Sequence, residues 1–521
     1  MRKLFFISIP IIVALSLIVG CASEPRRGRA ITMETEIIVV GAGGAGFSAA
    51  LEAKQAGRDV IVIEVNAFTG GNTALAGSAI NAPNPELQRH MTMLPTEREI
   101  IERLLNLSPH DRHMANWLNT LRTEWNAYNA AGHTHLFDSP TLHKIQTYHG
   151  GDYKANPALV SILAERSTEA IKWLGSLGGG MDSETHAIIG ALWRRSHRSD
   201  QSWGLAGANF VFPQEARFKD LGGRIYTEHR ATSLLTEGGR VVGVSGITNN
   251  RVPFTIRATR GVILATGGFS SNLEMLQKHN RHWPDLGGAS STNISSSVGD
   301  GIVMAEAVGA SLVDMEWIQI IGGTGWMEVS MENYIHVNMR GERYIAEDSR
   351  RDTIAIAALE LPDGYWTISS THAIPNIREV FASRNFFGYQ FSNEWHIADS
   401  VEELARLTRL PLANLVATIN TFNAAQAGTT PCPLGRNIFD RPFEPPFVAG
   451  KGSIFVHHTM GGVVIDEYTR VLRADGSPIP GLYAAGEVTG GIHGANRLGG
   501  NAITDVIVFG RIAGASAAAR R

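Results

Sequence analysis

Cysteine is almost absent. Only Cys21 and Cys432 occur in 521 residues. That excludes a CxxCH haem attachment site, a cysteine-held iron–sulfur cluster and a thiolate zinc site. An excess of one charge is missing too. Lys and Arg number 46 against 49 Asp and Glu, a formal net charge of −3. A nucleic-acid binder shows a basic stripe, and this chain has none. Neither a metal site nor a nucleic-acid partner is expected. The N-terminal apolar run, Leu4 to Val19, falls short of the roughly 20 residues that a membrane-spanning helix needs.

That run follows Met1-Arg2-Lys3 and precedes Gly20-Cys21. A basic start, an apolar stretch and small residues before a cut site describe a secretory signal. Ile18-Val19-Gly20-Cys21 resembles a lipobox, so Cys21 is expected to carry lipid. The competing reading is a signal-anchor with an incidental cysteine; the short span favours the lipoprotein. Residues 1–21 then form the signal and 22–33 a polar tether. The expected location is the cell envelope, as an exported lipoprotein anchored on the extracytoplasmic face of a membrane.

Glycine is what the sequence has in excess. The chain holds 56, well above the usual share of about 7%, and they sit in discrete clusters. Clustered glycine marks backbone held close to a ligand or to another backbone. Glu36-Ile37-Ile38-Val39-Val40 reads as a buried parallel strand. It runs into Gly41-Ala42-Gly43-Gly44-Ala45-Gly46, then a helical stretch Phe47–Ala56 closed by Gly57. A second strand, Val60–Ile63, ends at Glu64. Strand, glycine turn, helix, strand and acid make a dinucleotide-binding unit. Gly41 permits the tight turn, Gly43 lets the backbone approach a pyrophosphate, and Gly46 lets helix pack on strand. Glu64 can accept from ribose hydroxyls. The bland alternative is a structural glycine turn.

Three further glycine sites follow. They are Phe68–Ser78, Gly261–Phe269 and Pro480–Glu487. Several segments returning to one cofactor suit a long ligand such as FAD better than a nicotinamide nucleotide. A helix is expected from Pro157 to Leu177, capped by Asn156, with Leu159, Leu163, Ala170, Leu174 and Leu177 as a core stripe. Arg441–Pro446 reads as a loop, and no internal repeat is present.

Gly70-Gly71-Asn72-Thr73, Ala265-Thr266-Gly267-Gly268, His457–Gly462 and above all Gly490–Ala502 resemble the soluble fumarate reductase flavoproteins. Their wider family includes succinate dehydrogenase flavoproteins, urocanate reductase and 3-ketosteroid dehydrogenases. The resemblance runs over residues 34–521. It implies an α/β fold: a Rossmann-like FAD-binding domain from two segments, 34–315 and 455–521, with an inserted α+β capping domain over 316–454. It also implies noncovalent FAD. Ala45 and Glu64 would hold the adenosine half; Asn72, Thr73 and Gly77 the diphosphate and isoalloxazine. Ala231, Asp300, His458, Glu487, Ala502 and Ile503 match further contact positions.

The family passes hydride from flavin N5 to the β-carbon of an unsaturated acid and a proton to its α-carbon. By resemblance, His457, Arg497 and Gly500 bind substrate, and Arg351 is the proton donor. Arg suits a carboxylate because its planar fork binds both oxygens. Arg350 is the alternative donor by one position, and an exposed ion-paired loop is the alternative role for that stretch. One departure stands out. After Leu312–Gln319 the family has a substrate-binding His, whereas this chain has Ile320-Ile321-Gly322-Gly323. The usual Glu and Arg of the proton relay have no clear equivalents; Trp326, Glu328 and Tyr334 lie there instead. A monocarboxylate or a bulkier unsaturated acid fits that loss better than fumarate. Electrons are expected from an external cytochrome, flavoprotein or quinol-linked partner. Two other readings stay open. One is a dehydrogenase of a saturated acid or ketosteroid. The other is a lipoprotein whose FAD serves binding or electron transfer.

Overall fold

Ile37-Ile38-Val39-Val40 is β-branched throughout, and such side chains pack well on a strand buried on both faces. In the computed structural model of the protein these residues form the buried end of β1 (Ile31–Val40). The structure describes residues 30–77, 79–188, 190–204, 206–286, 289–323, 334–370, 394–439 and 441–520. The expected leader, with Cys21, lies outside them, as do Trp326 and Glu328. β1 begins at Ile31 rather than Glu36, because Ile31 and Met33 turn one face inward while Thr32 and Glu34 face solvent.

The expected unit follows: α1 (Gly44–Gln55) and then β2 (Val60–Ile63), all four of whose residues are buried. β1 pairs in parallel with β2 on one side and with β3 (Pro253–Leu264) on the other. Arg224–Tyr226 extends the sheet beyond β2, and Pro478–Ala484 extends it beyond β3, both in parallel. Arg470–Leu472 closes that edge, and the hairpin His229–Glu237/Arg240–Thr248 pairs with β3, giving eight strands. The register sets Val40 against both Ile63 and Leu264, and Leu264 against Ala484. Four strand ends therefore emerge side by side. That is where open α/β sheets bind ligands.

A helical layer with no strong signal in the sequence lies over residues 85–150. The helices Pro95–Leu105, Arg112–Ala130 and Pro140–Gly150 close on their own core of Trp117, Leu121, Trp125, Tyr128 and Trp193. The long helix Pro157–Ser176 matches its expected bounds within a residue, and Asn156 Oδ1 accepts from Ala158 N at 3.0 Å. Its stripe of Leu159, Leu163, Ala170 and Leu174 is buried.

Two strands carry the chain to and from a second lobe. β4 (Ile318–Gly323) pairs antiparallel with β5 (Ser453–Thr459) in a small sheet completed by Ser290–Ser291. Between them, α2 (Arg351–Leu359) lies against β4. A four-stranded antiparallel sheet follows, in the order Tyr334–Asn338, Tyr365–Ser370, Phe447–Lys451, Trp395–Ala398. The helices Val401–Thr408 and Leu412–Gln426 cover it around Ile335, Trp366, Ile368 and Phe422.

The chain returns to close the large sheet with α3 (Asn501–Ala519). By length and composition α3 could cross a membrane, but most of it is buried within the protein. Its glycines explain the fit. A Cβ on Gly514 would lie 2.2 Å from Ala49 O, and one on Gly510 would lie 2.6 Å from Ser48 Cβ. α3 therefore packs on α1 backbone to backbone.

Candidate active site

The glycine turn after β1 separates structural need from ligand need. Gly41 has φ +108°, and a Cβ there would sit 2.2 Å from Ala265 O. A Cβ on Gly46 would sit 1.9 Å from Gly41 O. Both glycines are demanded by the packing of turn, helix and strand. Gly43 is different. Its φ of −90° and ψ of −167° suit any residue. Its Cβ would meet nothing nearer than Gly70 O at 3.8 Å. The protein's own packing does not require glycine there, and the open space beside it leaves the backbone free for a ligand to approach. The N-cap of α1 is Gly43 itself, with no side-chain cap. The positive end of the helix therefore points at the same space, as anionic phosphate groups prefer.

That space is a cleft partly open to solvent, running along the turn and the first residues of α1. Its walls include Gly41, Gly43, Ala45, Glu64, Asn72, Thr73, Ala231, Asp300 and Glu487. Glu64 Oε2 accepts from Ala42 N at 2.9 Å, and Oε1 accepts from Asn66 Nδ2 at 2.7 Å. The carboxylate is thus fixed at the end of β2. Asn72 Nδ2 donates to Ser297 Oγ at 2.9 Å, and Arg230 grips Asp300 through both oxygens at 2.8 Å. Thr266 Oγ1, also on the wall, is buried and has no hydrogen-bond partner among the described residues. A long dinucleotide with phosphates, ribose hydroxyls and a polar ring suits this set, so the residues present fit FAD. The other expected contacts lie elsewhere. Gly46 sits beneath the turn, Gly77 is exposed, and Ile503 is in the core. Ala502 is half-buried at the start of α3, outside the lining. His458 adjoins the cleft through Glu487, with Nδ1 3.6 Å from Oε1.

A strand irregularity builds the second part of the site. Gln319 pairs with His458, but the next residue, Ile320, pairs with Val456. His457 is therefore the extra residue of a β-bulge, a device that re-aims side chains. Its Nδ1 shares a hydrogen bond with Thr292 Oγ1 at 2.7 Å. Gln319 is the residue on which the site turns. Its Oε1 accepts from Arg351 Nη1 at 3.2 Å and from Arg497 Nη2 at 3.0 Å. Its Nε2 donates to Asn496 Oδ1 at 2.9 Å and to Arg497 O at 2.8 Å. Two buried guanidinium groups thus meet on one amide oxygen. Arg497 Nε is buried and has no hydrogen-bond partner among the described residues. Like charges held this close in low dielectric favour an anion between them. Gly190 makes room for one of them: a Cβ there would lie 2.9 Å from Arg351 Cγ. Gly500, with φ +86°, turns the chain into α3 where a Cβ would strike Asn81 Oδ1 at 2.3 Å.

The charges tune their neighbours. Burial, then Arg351 and Arg497, hold the His457 imidazole well below its usual range; burial and Arg497 do the same to His458. Both rings are neutral at pH 7. Glu487 is pushed up to about 7, because burial outweighs the hydrogen bonds from Thr459 N at 3.0 Å and Thr459 Oγ1 at 3.2 Å. In the FAD-free protein this raised value has a definite sign. From about pH 4.5 to 7 the unfolded carboxyl has lost its proton while the folded one keeps it, so stability falls as pH rises. The total is on the order of 3 kcal/mol. Glu487→Gln should flatten that decline, checked by thermal unfolding of FAD-free protein at about pH 5 and pH 8.

In the sequence, Gln319 stands out only as part of a matching stretch. The available signal is a lone amide in an otherwise apolar strand, which must find partners when buried. Among the described residues no cluster of His, Cys, Asp or Glu could hold a metal ion.

Comparison with known proteins accords with this geometry. The family model described as FAD binding domain matches residues 36–98 and 127–503. The chain is 37% identical over 519 residues to an NADH:acrylate oxidoreductase of Vibrio harveyi, covering 94% of this chain and 51% of that protein. It thus spans about half the length of that relative. It is 32% identical over 495 residues to a protein of Shewanella frigidimarina (strain NCIMB 400) named Probable fumarate reductase Ifc3, covering 93% of this chain and 75% of that one. The solved open conformation of a flavocytochrome c3 fumarate reductase superposes with a TM-score of 0.66 at 31% identity, over 94% of this chain and 79% of that one. The chain belongs to the FAD binding domain family, among the fumarate reductase-like flavin oxidoreductases.

Proposed function

We propose that the protein reduces the carbon–carbon double bond of a short unsaturated monocarboxylate, of which acrylate is the simplest. The observation that carries this reading is the pair of buried guanidinium groups, Arg351 and Arg497, meeting on Gln319 Oε1. Gly43, Glu64, Asn72 and Thr73 of the cleft walls would hold FAD noncovalently, and the bound flavin would be the source of hydride. Arg497 and neutral His457 take the substrate carboxylate, and the charge they offer stabilises the enolate-like transition state. Arg351 gives the proton to the α-carbon. An arginine is a reluctant acid, but a strongly basic carbanion is a willing acceptor.

The monocarboxylate follows from β4. Where fumarate-type sites would place a donor for a second carboxylate, β4 carries the buried apolar Ile321, two residues beyond Gln319 on the same strand face. A carboxylate buried against it would be unpaired and costly. The relative named NADH:acrylate oxidoreductase supports the same substrate class. A guanidinium pair also suits an anion better than a neutral steroid. An external cytochrome, flavoprotein or quinol-linked protein is part of the proposal as the electron source. An exported lipoprotein, tethered near a membrane donor, is part of the proposal and rests on the leader sequence alone.

Steady-state assays with a reduced viologen dye should give acrylate or an aryl-acrylate a kcat/KM at least about tenfold above fumarate. Fumarate as clearly the best acceptor would overturn the substrate class.

A further inference from the structure

Arg350 and Arg351 are adjacent, yet they go to different places. Arg351 is the first residue of α2, while Arg350, its N-cap, is extended with φ −60° and ψ 149°. The two side chains therefore diverge. Arg351 runs inward to Gln319. Arg350 runs to the rim and binds Asp152 through both oxygens, Nη1 to Oδ1 at 2.5 Å and Nη2 to Oδ2 at 2.8 Å. Asp352 holds the guanidinium from its other side, with Nε to Oδ1 at 3.0 Å.

Asp152 is not on a loose loop. Its φ is +55°, a conformation that non-glycine residues seldom adopt. The neighbouring backbone is tied to the segment that carries Arg497. Ala495 N donates to Gly151 O at 2.9 Å, Asn496 Nδ2 to Gly150 O at 3.1 Å, and Asn156 N to Gly491 O at 2.7 Å. A Cβ on Gly151 would lie 2.3 Å from His493 O, so the two strands of chain are in direct contact. On the other side, the carboxylate of Asp348, two residues before Arg350, accepts from Asn437 N at 2.6 Å and Ile438 N at 3.2 Å. Two bridges therefore join the start of α2 to the Arg497 segment. The inner one is Arg351–Gln319–Asn496. The outer one is Arg350–Asp152.

We propose that the Arg350–Asp152 ion pair is a positioning device that sets the first turn of α2 against the Arg497 segment, so that Arg351 and Arg497 address the same substrate. It rests on the reading of Arg351 and Arg497 given above. A lone ion pair at a protein surface contributes little to stability. A two-oxygen grip between the lobes that carry two reacting groups acts on geometry instead, where a displacement of about 1 Å can cost up to about 100-fold in rate. The pair also gives Arg350 a role other than proton donor.

The test uses the FAD-loaded protein, reduced viologen dye and acrylate. Arg350→Gln and Asp152→Asn should each lower kcat/KM by about tenfold while FAD content and the unfolding temperature stay at wild-type values. The double variant R350Q/D152N should lose no more activity than either single, because both singles break the same pair. Single variants with wild-type kcat/KM would overturn the proposal. So would singles whose losses simply add in the double variant, or an Arg350→Gln protein with no detectable turnover, which would make Arg350 the acid. Arg351→Gln run in parallel separates this proposal from the reading beneath it. If Arg351→Gln is inactive and Arg350→Gln is wild-type, only the positioning role falls. If Arg351→Gln turns over normally, the assignment of the arginine pair falls instead.

Discussion

Replacing Arg351 by glutamine should lower kcat for acrylate reduction by about 10³-fold or more, with a much smaller change in KM. The split follows from where the side chain sits. On the proposed reading, Arg497 and His457 remain to hold the carboxylate, so ground-state binding is largely kept. What is lost is the proton at the α-carbon and one of two positive charges facing the developing enolate. General-acid catalysis contributes about 10²–10⁴-fold, and one charge-stabilising donor about 10²–10³-fold. Glutamine retains a hydrogen-bonding end for Gln319 Oε1, so the amide oxygen is not left bare. FAD content should be unchanged, because Arg351 does not line the cofactor cleft. Lysine should not restore the rate: it offers a point charge rather than a fork and reaches a different spot. Steady-state kinetics on the purified FAD-loaded variants read all three outcomes.

Replacing Gly43 by valine should weaken FAD binding by about 100-fold or more, equivalent to roughly 3 kcal/mol, and leave the FAD-free protein folded. Most glycine-turn substitutions cannot separate these effects. Gly41 has a positive φ and a carbonyl 2.2 Å from its would-be Cβ, and Gly46 has one at 1.9 Å. Changing either strains the fold before any cofactor is considered. Gly43 has ordinary backbone angles and open space on its Cβ side. Valine's methyls would fill the space before the first N–H groups of α1, where the proposed reading puts the phosphates. The expected pair of observations is a far-ultraviolet circular dichroism spectrum like wild type and a protein that emerges colourless. A yellow Gly43→Val protein with wild-type FAD affinity would mean that the cofactor does not lie on this turn.

The cofactor half of the site is legible in the amino-acid order, and the reason is locality. Strand, glycine turn, helix, strand and Glu64 occupy one short stretch whose periodicities stand alone, and each element forms around its pattern, with β1 starting earlier at Ile31 and α1 at Gly44. The helix Pro157–Ser176 is equally plain, since its cap, proline and apolar stripe are all local. Features made by distant pairings are hidden. Gly41, Gly43 and Gly46 look alike as letters; only the approach of Ala265 O and Gly41 O sorts them. His457 and His458 are neighbours, and it takes the bulge against β4 to send them different ways. Arg350 and Arg351 differ by one position, and the start of α2 between them decides which faces inward. Asp152 has no signal at all, because its importance lies in a backbone tie to residues far along the chain. The helical layer over residues 85–150 is obscure for a related reason: its core closes on Trp193, which no local pattern connects to it.

The glycine-turn cleft and the arginine pair stand or fall together as one reducing site for an unsaturated acid. The most direct measurement is anaerobic stopped-flow mixing of the chemically pre-reduced, FAD-loaded protein with acrylate, following the flavin absorbance. Rapid return of the oxidised spectrum in wild-type protein, and almost none in the Arg351→Gln protein over the same time, is the predicted result. Reduced flavin that persists with acrylate and with every other unsaturated acid offered, or equal rates in the two proteins, would contradict it.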